Sequence, residues 1–299
     1  MKFVSIFANV LRNFIIFSGL LLYTNVITAQ IENPVGAAAA GMGGTSRLST
    51  DVWSFYNNVA GMSNFPTLQF GVYSENKFAI KDLNRGGAAV VFPFSSYAVG
   101  VGFSKMGNSD LNTSLYGVGV SKKLAPGFTC GIKLNYIQTY MGQQNGTYQN
   151  VFFDAGIMYT INKDFTGAFH VSNPNRVKLS EVTNNRLPGS ATLALGYKIS
   201  NKVRINTEGV NDLDHGFRFR GGVSYQPNSK YIFRMGLSTG VFNGTFGFGY
   251  KYHKINLDVA SVYDINLGFS TQLSFRFAFD KELKEKTTTP KEQIEKPKE

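Results

Sequence analysis

Along 266–279 the chain reads NLGFSTQLSFRFAF, and its apolar residues fall on one parity. Leu267, Phe269, Leu273, Phe275, Phe277 and Phe279 share a face, interrupted only by Thr271. Asn266, Gly268, Ser270, Gln272, Ser274, Arg276 and Ala278 occupy the other. Side chains of an extended chain switch faces at every residue, so this pattern predicts a strand with one greasy face and one small, polar face. The same alternation is clear in 97-YAVGVGFS-104, 191-ATLALGYKI-199, 217-FRFRGGVSY-225 and 246-FGFGYKY-252. Weaker forms occur near 67–75, 86–94, 113–122, 127–138, 150–161, 165–172, 202–209, 230–239 and 254–261. With the final strand the pattern predicts fourteen, and nothing between them reads as a long helix.

Such a strand suits a soluble sandwich, with the greasy face inward, or an outer-membrane barrel, with that face on lipid. The connections separate the two. The links PFSS, KKLAPG, NKD, SN, QPNS and HK are short, and they alternate with longer ones near 76–85, 105–112, 139–149, 173–189 and 210–216. Two later links, around Asn243-Gly244 and 262–266, are shorter than that rule. Short turns at one end and long loops at the other belong to an antiparallel barrel with periplasmic turns and external loops. The expected fold is therefore all-β: a transmembrane antiparallel β-barrel of about fourteen strands over 67–279, in the bacterial outer membrane.

Composition adds three points. The N-terminus runs from a basic start through the apolar FIIFSGLLL (14–22) to ITAQ, which reads as a signal peptide over 1–30. Its apolar run is shorter than the roughly 20 residues of a membrane helix. Cys130 is the single cysteine, so no internal disulfide holds this exported chain; it lies in phase with Phe128, Ile132, Leu134 and Tyr136 as a small apolar residue. The tail over 280–299 has six acids and six bases and reads as a disordered periplasmic extension, which leaves the net charge of +11 to the remainder of the chain.

Residues 31–66, IENPVGAAAAGMGGTSRLSTDVWSFYNNVAGMSNFP, do not alternate and are rich in glycine and alanine. The segment is too apolar to hang in the periplasm, and the expected place for it is inside the barrel, as a hatch or plug. Within it, Ala40-Gly41-Met42-Gly43-Gly44, then Asp51, then Tyr56-Asn57-Asn58-Val59-Ala60-Gly61-Met62 resembles the N-terminal signature of FadL-like outer-membrane proteins, nearest the PorV/PorQ branch. The resemblance implies a fourteen-stranded barrel with an N-terminal hatch whose motif residues are Gly41, Gly43, Gly44, Asp51, Asn57, Asn58, Ala60 and Gly61. Val59 stands where the family has proline, and Met62 where it has leucine. The GMGG run is not a dinucleotide loop, since no strand precedes it and no βαβ unit surrounds it.

Nothing in the chain marks a catalytic centre, so a non-enzyme is expected, without cofactor, metal or nucleic-acid partner. His170, His215 and His253 lie far apart, and Asp212-Leu213-Asp214-His215 offers too few oxygens for a hard cation. The informative constellation is basic. Lys198, Arg204, Arg218, Arg220, Arg234, Lys251 and Arg276 all fall on the small-polar, lumenal parity, whereas acids there are few: Asp154, Glu208 and Asp258. Strand direction places Lys198, Arg204, Arg234, Lys251 and Arg276 toward the periplasmic mouth, and Arg218 and Arg220 toward the outer mouth near Glu208. Two uses compete: an ionic network that fills the lumen and pins the hatch, through Asp51 among others, or attraction of an anionic ligand or acidic partner segment.

Two functions follow. The PorV/PorQ resemblance implies a part in type IX protein secretion or surface attachment, with outer-membrane lipid around the barrel and protein partners of that machinery at its loops. The alternative is a FadL-like channel for hydrophobic small molecules such as fatty acids. The loop 173-NPNRVKLSEVTNNRLPG-189 is polar and basic, not an apolar groove, and inclines the reading to protein partners.

Overall fold

The computed structural model describes residues 34–142, 146–178 and 186–279. The leader and the C-terminal tail read from the sequence lie outside them. Fourteen antiparallel strands follow in chain order: β1 (Gln69–Asn76), β2 (Arg85–Pro93), β3 (Tyr97–Gly107), β4 (Leu111–Ala125), β5 (Phe128–Met141), β6 (Thr147–Thr160), β7 (Phe165–Ser172), β8 (Ser190–Lys198), β9 (Val203–Asp212), β10 (Gly216–Tyr225), β11 (Tyr231–Ser238), β12 (Asn243–Tyr252), β13 (Ile255–Asp264) and β14 (Gly268–Ala278). Each pairs with its neighbours in sequence, and β1 pairs with β14 from Gln69↔Ala278 to Asn76↔Thr271, which closes the sheet into a barrel. Closure leaves no unpaired sheet edge for lipid to meet.

Which face points out is settled in β14. Phe269 and Leu273 are 62% and 52% exposed, while Ser270 and Gln272 between them are 6% and 4%. The same division runs round the ring: Leu134, Phe153, Leu193, Met235 and Phe246 face outward, and Asn135, Asp154, Thr192, Arg234 and Gly247 do not. A large outward apolar band over a small, polar inner face is the inverse of a soluble core, and it fits the acyl chains of a bilayer. Aromatic pairs stand near the turn ends of the strands, among them Phe94–Tyr97 at 4.7 Å and Phe165–Tyr197 at 4.4 Å between ring centroids. Tyr263–Phe269 at 4.9 Å marks the opposite end. Rings with an apolar body and a polar edge suit the two headgroup levels.

The ends of the barrel differ less than the sequence suggests. Both 69 and 278 lie at one end, with the turns 94–96, 126–127, 161–164, 199–202, 226–230 and 253–254; by the architecture of such barrels this end faces the periplasm. At the opposite, outer end the strands are furthest apart in sequence across 77–84 and 173–189. The expected long loops near 105–112, 139–149 and 210–216 are largely strand, and their connections shrink to 108–110, 142–146 and 213–215. For the first two the cause lies in β4, β5 and β6, which reach 15, 14 and 14 residues, against the roughly 9–11 that cross a bilayer. Their outer parts rise past the lipid, where an outward face gains nothing from being apolar. Thr147 and Gln149 accordingly stand on the outward parity of β6 that Val151, Phe153 and Ile157 continue below.

Candidate functional site: the lumen and its cavities

Residues 34–66 carry two short helices, α1 (Ala37–Ala40) and α2 (Ser54–Asn57), and a 3-10 turn over Val59–Asn64. Val35, Val52, Trp53, Phe55, Val59 and Met62 of this segment are buried in one cluster with Tyr73, Ala89, Val91 and Ala98 of the wall. Glycines allow the approach. A Cβ at Gly41 would stand 2.7 Å from the Cα of Gly247, and one at Gly236 would stand 2.2 Å from the nitrogen of Gly43. Gly43 itself has φ +68°, a left-handed conformation that other residues adopt only at a cost. The Phe55 ring lies over Gly100, Gly102 and Gly117, which leave room for it on three successive inward positions of β3 and β4. Glycine inside a strand often marks such an approach.

Polar groups fix the rest of the segment. Asn57 accepts from the backbone nitrogen of Val35 at 2.9 Å and donates to its carbonyl at 2.8 Å. Asn58 accepts from the Ala60 nitrogen at 3.2 Å and donates to the Arg47 carbonyl at 3.0 Å. Val59 then opens the 3-10 turn at a first helical position, where proline is equally at home because its missing N–H has no intrahelical partner there. A Cβ on Gly61 would meet the Ser49 carbonyl at 2.1 Å, so this glycine is required by close contact within the segment. Asp51 lies 3.2 Å from Arg276 and accepts from the Trp53 nitrogen at 3.0 Å.

The inward charges form pairs. Glu208, fully buried, accepts the backbone N–H groups of Ser46 and Arg47 at 2.6 Å each and lies 3.9 Å from Arg220, which donates to the Gly44 carbonyl at 3.3 Å. Lys133 meets Asp154 at 2.8 Å, Arg218 meets Asp212 at 3.2 Å, and Arg234 meets Asp258 at 2.7 Å. Asp212 also accepts from the nitrogens of Asp214 and His215, so its oxygens serve the chain's own turn. Among the described residues no group of His, Cys, Asp and Glu is arranged to hold a metal. Lys133 and Glu75 are inward charges that the C-terminal parity count passes over. Tyr73, on the same face as Glu75, breaks the small-residue rule of that face because it packs edge-on against Trp53 at 5.8 Å.

The segment stands between two cavities. The outer one, about 540 Å³, is lined by Phe78, Leu83, Met106, Val241, Val262 and Leu267, with Glu75, Lys77, Arg220 and Asp264 as its charged members; Pro34, Ala40, Gly43 and Gly44 line it from the segment side. Burial holds the Lys77 ammonium below the ordinary lysine range, Glu75 opposing the shift and Arg85 adding to it. The apolar surface that 173–189 lacks is thus supplied by 77–84 and the rim of β12–β14. The inner cavity, about 420 Å³, opens among the periplasmic turns and is lined by Lys163, Lys198, Lys202, Arg204, Asn206 and Arg234, together with Met42 and Leu48. Lys251 and Arg276 lie in one neighbouring row, on either side of Asn256. A third, polar cavity of about 120 Å³ holds Arg47, Lys133, Asp154 and His170.

No family model and no curated protein matches this chain. Solved structures do. The CymD monoaromatic hydrocarbon channel is 11% identical with a TM-score of 0.63, over 82% of this chain and 97% of that one. The Pseudomonas putida toluene transporter TodX is 12% identical with a TM-score of 0.57, over 85% and 98%. At such identities the likeness is one of fold. The chain has the fold of outer-membrane channel barrels, in accord with its lipid-facing band.

Proposed function

We propose that the barrel is an outer-membrane channel for small apolar molecules, which enter through the outer cavity and pass when the N-terminal segment shifts. The observation that carries this reading is the apolar lining of that cavity beside the segment that separates it from the periplasmic turns. CymD, a monoaromatic hydrocarbon channel, and TodX, a toluene transporter, share this fold and agree with the reading. A volume of about 540 Å³ lies within the usual range of small-molecule pockets. The test is a lock. Ala37 donates its backbone N–H to Ser274 Oγ at 3.1 Å, so cysteines at these two positions, in a Cys130→Ser background, tie the segment to β14. Oxidised protein in liposomes should fail to pass a fluorescent apolar probe, and reduction should restore passage. Equal passage in both states sinks the gate.

A second reading rests on the signature in residues 40–62 and on the polar, basic loop 173–189: protein partners of a type IX secretion machinery docked at the outer end. Removing 174–188 would abolish co-purification with those partners and leave probe binding intact. Protein that purifies from native membranes alone, with an apolar ligand bound, would count against it.

A further inference from the structure

The inner cavity has a charge pattern that the network of ion pairs does not absorb. Lys198 and Arg204 are direct cross-strand partners on the inward face of β8 and β9; Arg204 is opposite Ser224, and Ser224 is opposite Arg234. Three cations thus stand in one row of four positions, with adjacent strands about 4.8 Å apart. Like charges placed directly opposite destabilise a sheet. Arg234 is held by Asp258 and, in a neighbouring row, Arg276 by Asp51, yet among the described residues no carboxylate pairs with Lys198, Arg204, Lys163 or Lys202. A second observation is independent of charge. Asn206, only 8% exposed, lines the same cavity one step along β9, and its Oδ1 has no hydrogen-bond partner. A buried acceptor left open asks for a donor.

We propose that this basin binds an acidic polypeptide segment on the periplasmic side. Its carboxylates meet the Lys198–Arg204–Arg234 row and the turn lysines, a backbone N–H supplies the donor that Asn206 lacks once that side chain turns from Gly196 into the cavity, and one apolar side chain rests at Met42 and Leu48. An anion without a proton, such as sulfate, satisfies the cations and not Asn206; a polypeptide satisfies both. The chain's own tail over 280–299, with six acids offset by six bases, has no net charge to be drawn there. The inference does not depend on what enters at the outer end.

The experiment uses the full chain in detergent and a fluorescein-labelled hexapeptide, Glu-Leu-Glu-Glu-Leu-Glu, read by fluorescence anisotropy. Saturable binding is expected, weakened about tenfold by a rise from 50 to 200 mM salt. Lys202→Glu, in an exposed turn, should weaken it severalfold, and Lys198→Glu with Arg204→Glu about a hundredfold. Asn206→Leu should weaken it while leaving the salt dependence unchanged. Heat-dependent migration on gels confirms that each variant barrel has closed, and if the double variant does not close, Lys202→Glu and Asn206→Leu still decide. The proposal is overturned by affinities that do not respond to these changes, or by sodium sulfate displacing the peptide beyond what matched ionic strength does. Tight binding that appears only when the chain is cut after Phe279 would assign the basin to the tail and overturn it equally.

Discussion

Glu208→Ala should loosen the N-terminal segment far more than removal of the salt bridge at its other end. Glu208 is fully buried, takes two backbone N–H groups at 2.6 Å and faces Arg220. Alanine leaves those backbone donors without their acceptor and the buried Arg220 guanidinium, still bonded to the Gly44 carbonyl, without its carboxylate, which costs about 3 kcal/mol or more, or about 150-fold in the population of the undocked segment. Glu208→Gln keeps the acceptor oxygen and loses the charge assistance, worth about 1.4 kcal/mol, or about tenfold. Arg276→Gln breaks the pair with Asp51, but those side chains are 19% and 23% exposed. Solvent screening reduces that loss to about 0.5 kcal/mol, or about twofold. The assay is tryptic cleavage after Arg47, itself buried, in folded barrels at low protease, where the rate follows the undocked population. Rates in the order Glu208→Ala, Glu208→Gln, Arg276→Gln are expected, with barrel closure unchanged. Cleavage of Arg276→Gln faster than Glu208→Ala would show the segment to be held from the periplasmic end and would refute the reasoning.

Three further outcomes follow from the geometry. Gly102→Leu places a side chain where the Phe55 ring lies, 2.4 Å from its Cβ position, so the segment should undock while the barrel closes; the same proteolysis reads it. Val262→Trp fills the outer cavity and should reduce binding of a fluorescent apolar probe at least tenfold, with no change in Arg47 cleavage. Leu134→Arg puts a charge on the lipid face and should cost about 2–4 kcal/mol in refolding titrations into vesicles; Asn135→Ser, one residue along and inward, should leave refolding into vesicles possible.

The wall was readable because lipid imposes a period of two on every strand that crosses it. All fourteen predicted strands correspond to observed ones, and Phe269, Leu273 and Phe279 point where their parity requires. Readability failed above the lipid. In 139-TYMGQQNGTYQN-150 polar residues fall on both parities, so the described outer parts of β5 and β6, 139–141 and 147–150, look like loop. The lumen was readable as polar and basic, and strand direction already put Arg220 near Glu208; the pairing of Lys133 with Asp154 was not readable, since it joins different strands through register alone. Gly100, Gly102, Gly117, Gly119, Gly222, Gly236 and Gly247 all sit on the inward parity, and together they outline the surface against which the segment packs. The outer cavity had no such signature, because Phe78, Val241 and Val262 come from distant parts of the chain.

The seam between β1 and β14 joins residues some two hundred positions apart. Contacts of such separation form slowly, because a long loop must first be gathered. The ring is incomplete until its last strand has been delivered, and whatever it encloses has to be in place by then. Residues 34–66 are made first and end up walled in, so biogenesis has an order: the contents are loaded, and the cylinder is then zipped shut around them. A chain stalled before Gly268 would present β1 and β13 as two raw borders and hold its lumen-facing residues in an open trough.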